Sequence, residues 1–138
     1  MIYLDANIFI YAATNNGKEG DLCRDVLRKI AFKKIIGQTS FLTWDEIVYS
    51  IRKIKDRQIA AKEGENFLKF PNLILLKIDE KIMGKAQELI NMYNLKPRDA
   101  IHAASVILNG INNILSDDSD FDKVKEIKRI PLNDIDKI

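Results

Sequence analysis

Four acidic residues stand where apolar runs end or helices begin: Asp5, Glu46, Asp99 and Asp118. Carboxylates are the chemistry this chain has available, because its other reactive groups are scarce. Cys23 is the only cysteine and His102 the only histidine, which allows neither an intramolecular disulfide nor a zinc cage. Asp21 and Asp25, on either side of Cys23, would raise its thiol pKa, so it reads as a core residue. The six glycines, at positions 17, 20, 37, 64, 84 and 110, are too scattered for a phosphate-binding loop. A Ser-His-Asp triad would rest on His102 alone, with no nucleophile elbow in the sequence. Unit charges about 4–5 Å apart repel by roughly 3–4 kcal/mol per pair at an effective dielectric near 20. Four clustered carboxylates would therefore need protons or cations to neutralise them. Oxygen ligands without imidazole or thiolate select Mg2+ or Mn2+ over zinc. Such ions activate water and stabilise the leaving oxygen of a phosphodiester.

The elements that would position these acids follow from apolar patterning. Ile2-Tyr3-Leu4 reads as a short buried strand ending at Asp5, followed by a helix through Ala13 and a loop over 14–17. Leu22, Val26, Leu27, Ile30 and Ala31 predict a helix from Lys18 to Lys34. Ile35-Ile36 followed by Gly37-Gln38-Thr39 is a second strand candidate, weakened by the glycine. Ser40 or Thr43 is expected to cap a helix whose apolar face is Trp44, Ile47, Val48, Ile51 and Ile54. A helix from Arg57 to Phe70 stops before Pro71, and 73–78 is the clearest strand. Asp79 caps a helix reaching about Tyr93. A helix from Asp99 to about Leu108 is closed by Asn109-Gly110. Residues 113–116 form a third good strand, and a last short one lies near 127–130. Short buried strands alternating with helices predict an α/β fold, a three-layer α/β/α sandwich with a mainly parallel central sheet. Ligands sit at the carboxyl ends of such strands, where Asp5 and the acidic stretch 117–120 both fall.

At 138 residues, with 46% hydrophobic and 30% charged residues, the chain is expected to be a single globular domain over 1–138. A net charge of +2 excludes a polycation that grips nucleic acid by bulk charge, so any such site must be local. The N-terminal residues carry neither a basic region nor a long apolar one, and no apolar run reaches membrane-spanning length. With a lone cysteine, these features predict a cytoplasmic protein with no membrane association.

Each acid taken alone has a plain structural use. Asp5 can cap the helix that follows it, and Asp99 sits where a carboxylate favours a helix dipole. Glu46 lies off the apolar face and reads as solvated; periodicity does not separate it from Asp45. Asp118 can be one more acidic turn residue. His102, three residues after Asp99, can reach the same site or be a satisfied core residue.

The surrounding patterns decide between these uses. From Met1 to about Pro131 the sequence resembles the PIN-domain family. Its opening, a strand into Asp-x-Asn, is matched by Ile2-Tyr3-Leu4-Asp5-Ala6-Asn7. A Ser/Thr-rich segment before a helical Glu is matched from Thr39-Ser40 through Thr43 to Glu46, and this match selects Glu46 over Asp45. The Leu-x-x-x-Asp-Ala-x-His-x-Ala pattern is complete, running from Leu95 through Asp99, Ala100 and His102 to Ala104. The final Thr-x-Asp-x-Asp-Phe pattern appears as Ser116-Asp117-Asp118-Ser119-Asp120-Phe121, where serine keeps the hydroxyl of threonine.

The resemblance implies a metal-dependent ribonuclease, and the short form looks most like the VapC-type toxins of toxin–antitoxin pairs. By that resemblance Asp5, Asp99 and Asp118 bind Mg2+ or Mn2+, with Glu46 a further ligand or a holder of the attacking water and Asp120 an additional participant. Asn7 and Ser116 would orient a carboxylate or water, or cap helices. Lys96 and Arg98 adjoin Asp99 and would touch RNA phosphates, as would the basic cluster Arg52, Lys53, Lys55 and Arg57. A small antitoxin protein covering an apolar face on the helices near 41–70, and a symmetric homodimer, are the implied partners. The competing readings are a PIN nuclease in RNA maturation or decay without an antitoxin, and a catalytically silent RNA- or protein-binding scaffold. A phosphotransfer domain using Asp5 as nucleophile is disfavoured, because Asn7 replaces the acid such an enzyme needs there.

Overall fold

The computed structural model describes residues 1–138. Five parallel strands, β1 (Ile2–Leu4), β2 (Gly37–Ser40), β3 (Ile74–Leu76), β4 (Asn113–Leu115) and β5 (Lys128–Ile130), form one sheet in the order β3-β2-β1-β4-β5. Between them run α1 (Ala6–Thr14), α2 (Lys18–Ala31), α3 (Leu42–Ile54), α4 (Arg57–Leu68), α5 (Glu80–Met92) and α6 (Pro97–Leu108). Short 3-10 segments cover Ser119–Lys123 and Leu132–Lys137.

The alternation of side chains along β1 sets the three layers. Ile2 and Leu4 point into a core built with α1 to α4, whereas Tyr3 points the other way into a core built with α5 and α6. Leu115 and Ile114 of β4 divide between the same two cores. The expected α/β/α sandwich is therefore observed, and its sheet is wholly parallel. Because the central strand β1 is covered on both faces, all three of its residues are buried.

Local rules account for most element ends. Asp56 accepts from the Ile59 amide at 2.8 Å and Asp79 from the Ile82 amide at 3.1 Å, each capping its helix. Pro97 opens α6 at the position where a missing N–H costs nothing. The helix thus begins before Asp99, and Asp99 lies in its first turn instead of opening it.

Three expectations are corrected. The second strand begins at Gly37 and runs through Ser40, so only 37–39 of the candidate lie in it, and Ile36 lies at its entrance, 55% exposed. The strand is buried yet carries polar residues, which hides its bounds from apolar patterning. Neither Ser40 nor Thr43 caps α3, whose N-cap is Phe41 without a side-chain bond. Thr43 Oγ1 instead lies 2.7 Å from Thr39 Oγ1, which donates to the Leu4 carbonyl at 2.8 Å and ties β2 to β1. Finally, Ile47 and Ile51 are the buried stripe of α3, while Trp44 and Ile54 are exposed.

Gly37, which weakens a strand prediction, is required by packing. A Cβ there would fall 2.4 Å from Ile30 Cδ1, and Ile30 is fully buried. Gly37→Ala is therefore expected to destabilise by about 1–3 kcal/mol, the usual cost of overpacking, with Ile30→Val recovering part of it. Chemical denaturation of the two single variants and the double variant checks this; an unchanged midpoint in Gly37→Ala would contradict it.

Candidate functional site

The parallel sheet brings the carboxyl ends of β1 and β4 side by side, so Asp5 and the residues after Leu115 become neighbours. Asp5 serves two uses at once. Its Oδ1 accepts from the Ala6 amide at 2.7 Å, capping α1, and its Oδ2 accepts from Ser116 Oγ at 2.7 Å. Ser116 Oγ in turn accepts from the Asp118 amide at 3.0 Å. One buried hydroxyl therefore fixes both strand-end aspartates. Asp118 Oδ1 accepts from the Asp120 amide at 2.9 Å and starts the 3-10 turn.

Asp99 comes in from the first turn of α6. Carboxylate oxygens of Asp99, Asp118 and Asp120 lie within 4.8 Å of one another. Asp120 also pairs with Lys123 at 3.1 Å, so part of its charge is already met. Glu46 arrives from α3, and it lines one cleft with Asp5, Asn7, Asp99 and Asp118. Asp45 points out of that cleft and pairs with Arg98 at 3.1 Å. Lys96 and Arg98 line an adjoining opening of about 470 Å³ with Glu46, Asp99 and Asp118.

His102 is both of the things the sequence offered. It is fully buried, and its two nitrogens are satisfied: Nδ1 lies 2.6 Å from Tyr3 Oη and Nε2 lies 2.6 Å from Glu46 Oε2. Asp5 Oδ1 is 4.0 Å from the same Nε2. The ring therefore links the Glu46 and Asp5 side of the cleft to the core beneath the sheet. Tyr3 is the residue that sequence reasoning missed. A tyrosine inside a buried strand needs a partner for its hydroxyl, and that requirement was the available signal.

The electrostatics follow from burial and crowding. Burial raises the Asp5 pKa against the opposing pull of His102 and the Ser116 hydrogen bond. Asp99 is pushed up to about 7, first by burial and then by the Asp118 and Asp5 charges. Burial alone would depress the His102 imidazolium, but Tyr3, the Glu46 contact and Asp5 outweigh it and hold the ring well above its ordinary value. Cys23, buried in the core and facing Asp117, is pushed up to about 12 and stays an inert thiol.

Asp99 Oδ2 is buried without any hydrogen-bond donor. Buried polar atoms are almost always paired, and here the near neighbours are other carboxylates. An oxygen-only donor set with one ligand atom lacking a partner fits a hard divalent cation such as Mg2+ or Mn2+. Asp99 and Asp118 are the residues best placed to hold it, with Asp120, Asp5 and Glu46 around them.

Comparison with known proteins places this geometry in a family. No curated protein matches the sequence. Among solved structures, a chain of VapBC2 from Rickettsia felis bound to a DNA fragment from its promoter is 20% identical, with a TM-score of 0.74 over 95% of this chain and 98% of that one. VapC20 from Mycobacterium tuberculosis, a toxin that cleaves the sarcin–ricin loop, is 15% identical, with a TM-score of 0.76 over 92% and 97% of the two chains. DNA-bound VapBC from Salmonella typhimurium is 16% identical, with a TM-score of 0.74 over 95% and 97%. At such identities these likenesses establish a shared fold. The sequence itself matches the PIN domain family over residues 2–127, and the protein belongs to that family.

Proposed function

We propose that this chain is a divalent-metal-dependent ribonuclease and the toxin of a VapBC-type toxin–antitoxin pair. The observation that carries the reading is Asp99, half-buried, without a donor on Oδ2, and crowded by Asp118 and Asp120. A cluster arranged this way is stable only with a neutralising partner. Bound Mg2+ or Mn2+ supplies water activation and charge stabilisation at the leaving oxygen of a phosphodiester.

The chain's own residues then have separable tasks. Asp5, Asp99 and Asp118 hold the cation, with Asp120 beside them. Ser116 fixes the orientation of Asp5 and the Asp118 backbone, and Asn7 lines the cleft wall. Glu46, steadied by His102, faces the site where an attacking water would give up its proton. Lys96 and Arg98 at the opening meet phosphates of the strand. Attack at phosphorus with loss of the 3′ oxygen leaves a 5′-phosphate and a 3′-hydroxyl.

The toxin assignment draws on the neighbours, which include VapBC complexes, and on a mainly apolar groove among α1, α2, α3 and α4. Phe9, Ala13, Leu27 and Phe67 line this cavity of about 260 Å³, which suits an apolar segment of a small antitoxin. In this reading the protein is a single-domain cytoplasmic toxin that forms a homodimer; no helix is long and apolar enough to cross a membrane.

Incubation of purified protein with total RNA and Mn2+ tests the activity. Cleavage is expected, with EDTA abolishing it and Asp99→Asn leaving less than about 1% of the rate. Cleavage that persists in EDTA would contradict the reading.

The raised pKa of Asp99 gives a second test, on stability. The folded state resists its ionisation, so the penalty is absent below the ordinary value of 3.8 and grows as pH rises until the carboxyl ionises at about 7. Metal-free wild type should therefore lose stability across that window. After solvent screening, Asp99→Asn should gain about 1 kcal/mol, melting roughly 3–5 °C above wild type at about pH 8. The gap should close toward about pH 4, and Mn2+ should raise the melting temperature of wild type only. Equal metal-free melting temperatures at about pH 8 would show that the carboxylates are not crowded.

A further inference from the structure

Tyr49 lies one turn beyond Glu46 on α3 and lines the same cleft as Asp5, Asp99 and Asp118. It is 51% exposed, so its ring does not serve the core. Two cations attend the ring: Lys53 Nζ is 4.6 Å from its centroid and the Arg98 guanidinium carbon 5.7 Å. Arg98 is otherwise held only by its exposed pair with Asp45, a contact weak enough for a phosphate to replace. A single exposed tyrosine is ordinary on any surface. A half-exposed aromatic ring beside a carboxylate cleft, with two exposed cations over it that a stacking base would displace toward its phosphates, is a different object. It combines the two parts of a single-stranded nucleic-acid surface, a face on which a base stacks and positive charge for the adjoining phosphates. Duplex RNA keeps its bases stacked inside, so only an unpaired nucleotide can use such a ring.

We infer that Tyr49 is the stacking platform for an unpaired nucleobase next to the scissile phosphate, with Lys53 and Arg98 taking the phosphates on either side. This rests on the ribonuclease reading for the nature of the strand. It makes Tyr49 a residue that binds substrate and takes no part in proton transfer. Stacking tolerates every base, so the platform selects strand state in preference to sequence.

The test measures binding apart from cleavage. A fluorescently labelled single-stranded RNA of about ten nucleotides is titrated in EDTA with the Asp99→Asn protein, and with the same protein carrying Tyr49→Ala or Tyr49→Phe. The expected result is a Kd raised on the order of 10-fold by alanine and changed less than about twofold by phenylalanine. A strand of equal length with abasic sugars should bind the Tyr49 protein as weakly as the normal strand binds the alanine variant. Equal affinity of alanine and tyrosine proteins, equal affinity for abasic and normal strands, or no measurable binding would each overturn the inference. Mn2+-dependent cleavage is scored separately on wild type. Binding of the expected pattern without cleavage would contradict the ribonuclease reading and support the platform, whereas cleavage with binding indifferent to Tyr49 would contradict the platform alone.

Discussion

Mutual repulsion among carboxylates gathered at one edge of a parallel sheet is the constraint around which the rest of this molecule is arranged. Like charges at such distances drive apart or take up protons unless the scaffold holds them, and the scaffold's holding devices are visible. Ser116 bonds Asp5 and the Asp118 amide, so two strands share one fixed hydroxyl. The α1 N-terminus takes the other oxygen of Asp5. Across the cleft, His102 and Tyr3 anchor Glu46 from beneath the sheet. Among these carboxylates Asp99 receives no donor on Oδ2, and burial first, then the Asp118 and Asp5 charges, leaves its pKa raised.

The fold makes this arrangement affordable by burying β1 completely. Both faces of that strand meet apolar cores, so its direction and register are strongly determined, and the residue after Leu4 is placed with little freedom. Close approach of α2 through Gly37 and the Thr39–Thr43 bond keep β2 and the start of α3 in step with β1. Glu46, one turn into that helix, inherits the precision. Stability is thus concentrated in the two cores that flank the sheet, while the cleft at the carboxyl ends of its strands carries groups that a stability-driven design would avoid.

Much of this was legible in the sequence because apolar patterning and motif spacing both reflect the same geometry. The strands at Ile2–Leu4 and 113–115, the Asp79 cap, and Asp5 and Asp118 after their strands fall where the sequence places them, whereas Asp99 lies two residues inside its helix. The shifted bounds of β2 and the missing α3 cap share a cause. Gly37-Gln38-Thr39-Ser40 is a buried strand of polar residues in which the Thr39 hydroxyl bonds the Leu4 carbonyl and Thr43 while Ser40 Oγ has no partner, so neither hydrophobicity nor cap statistics marks its bounds. The exposed Trp44 and Ile54 resemble core residues in a periodicity plot because exposure is a tertiary property. The role of His102 was hidden for a similar reason: its partner Tyr3 is 99 residues away and advertises itself only as an apolar strand residue.

The central claim is that the carboxylates form a divalent-cation site, and a crystal grown with Mn2+ tests it most directly. The account predicts an anomalous peak within about 2.0–2.3 Å of carboxylate oxygens from both Asp99 and Asp118, with Asp5 or Asp120 completing the oxygen shell directly or through water. Fully ordered carboxylates with no manganese among them, or manganese bound elsewhere on the chain, would contradict it.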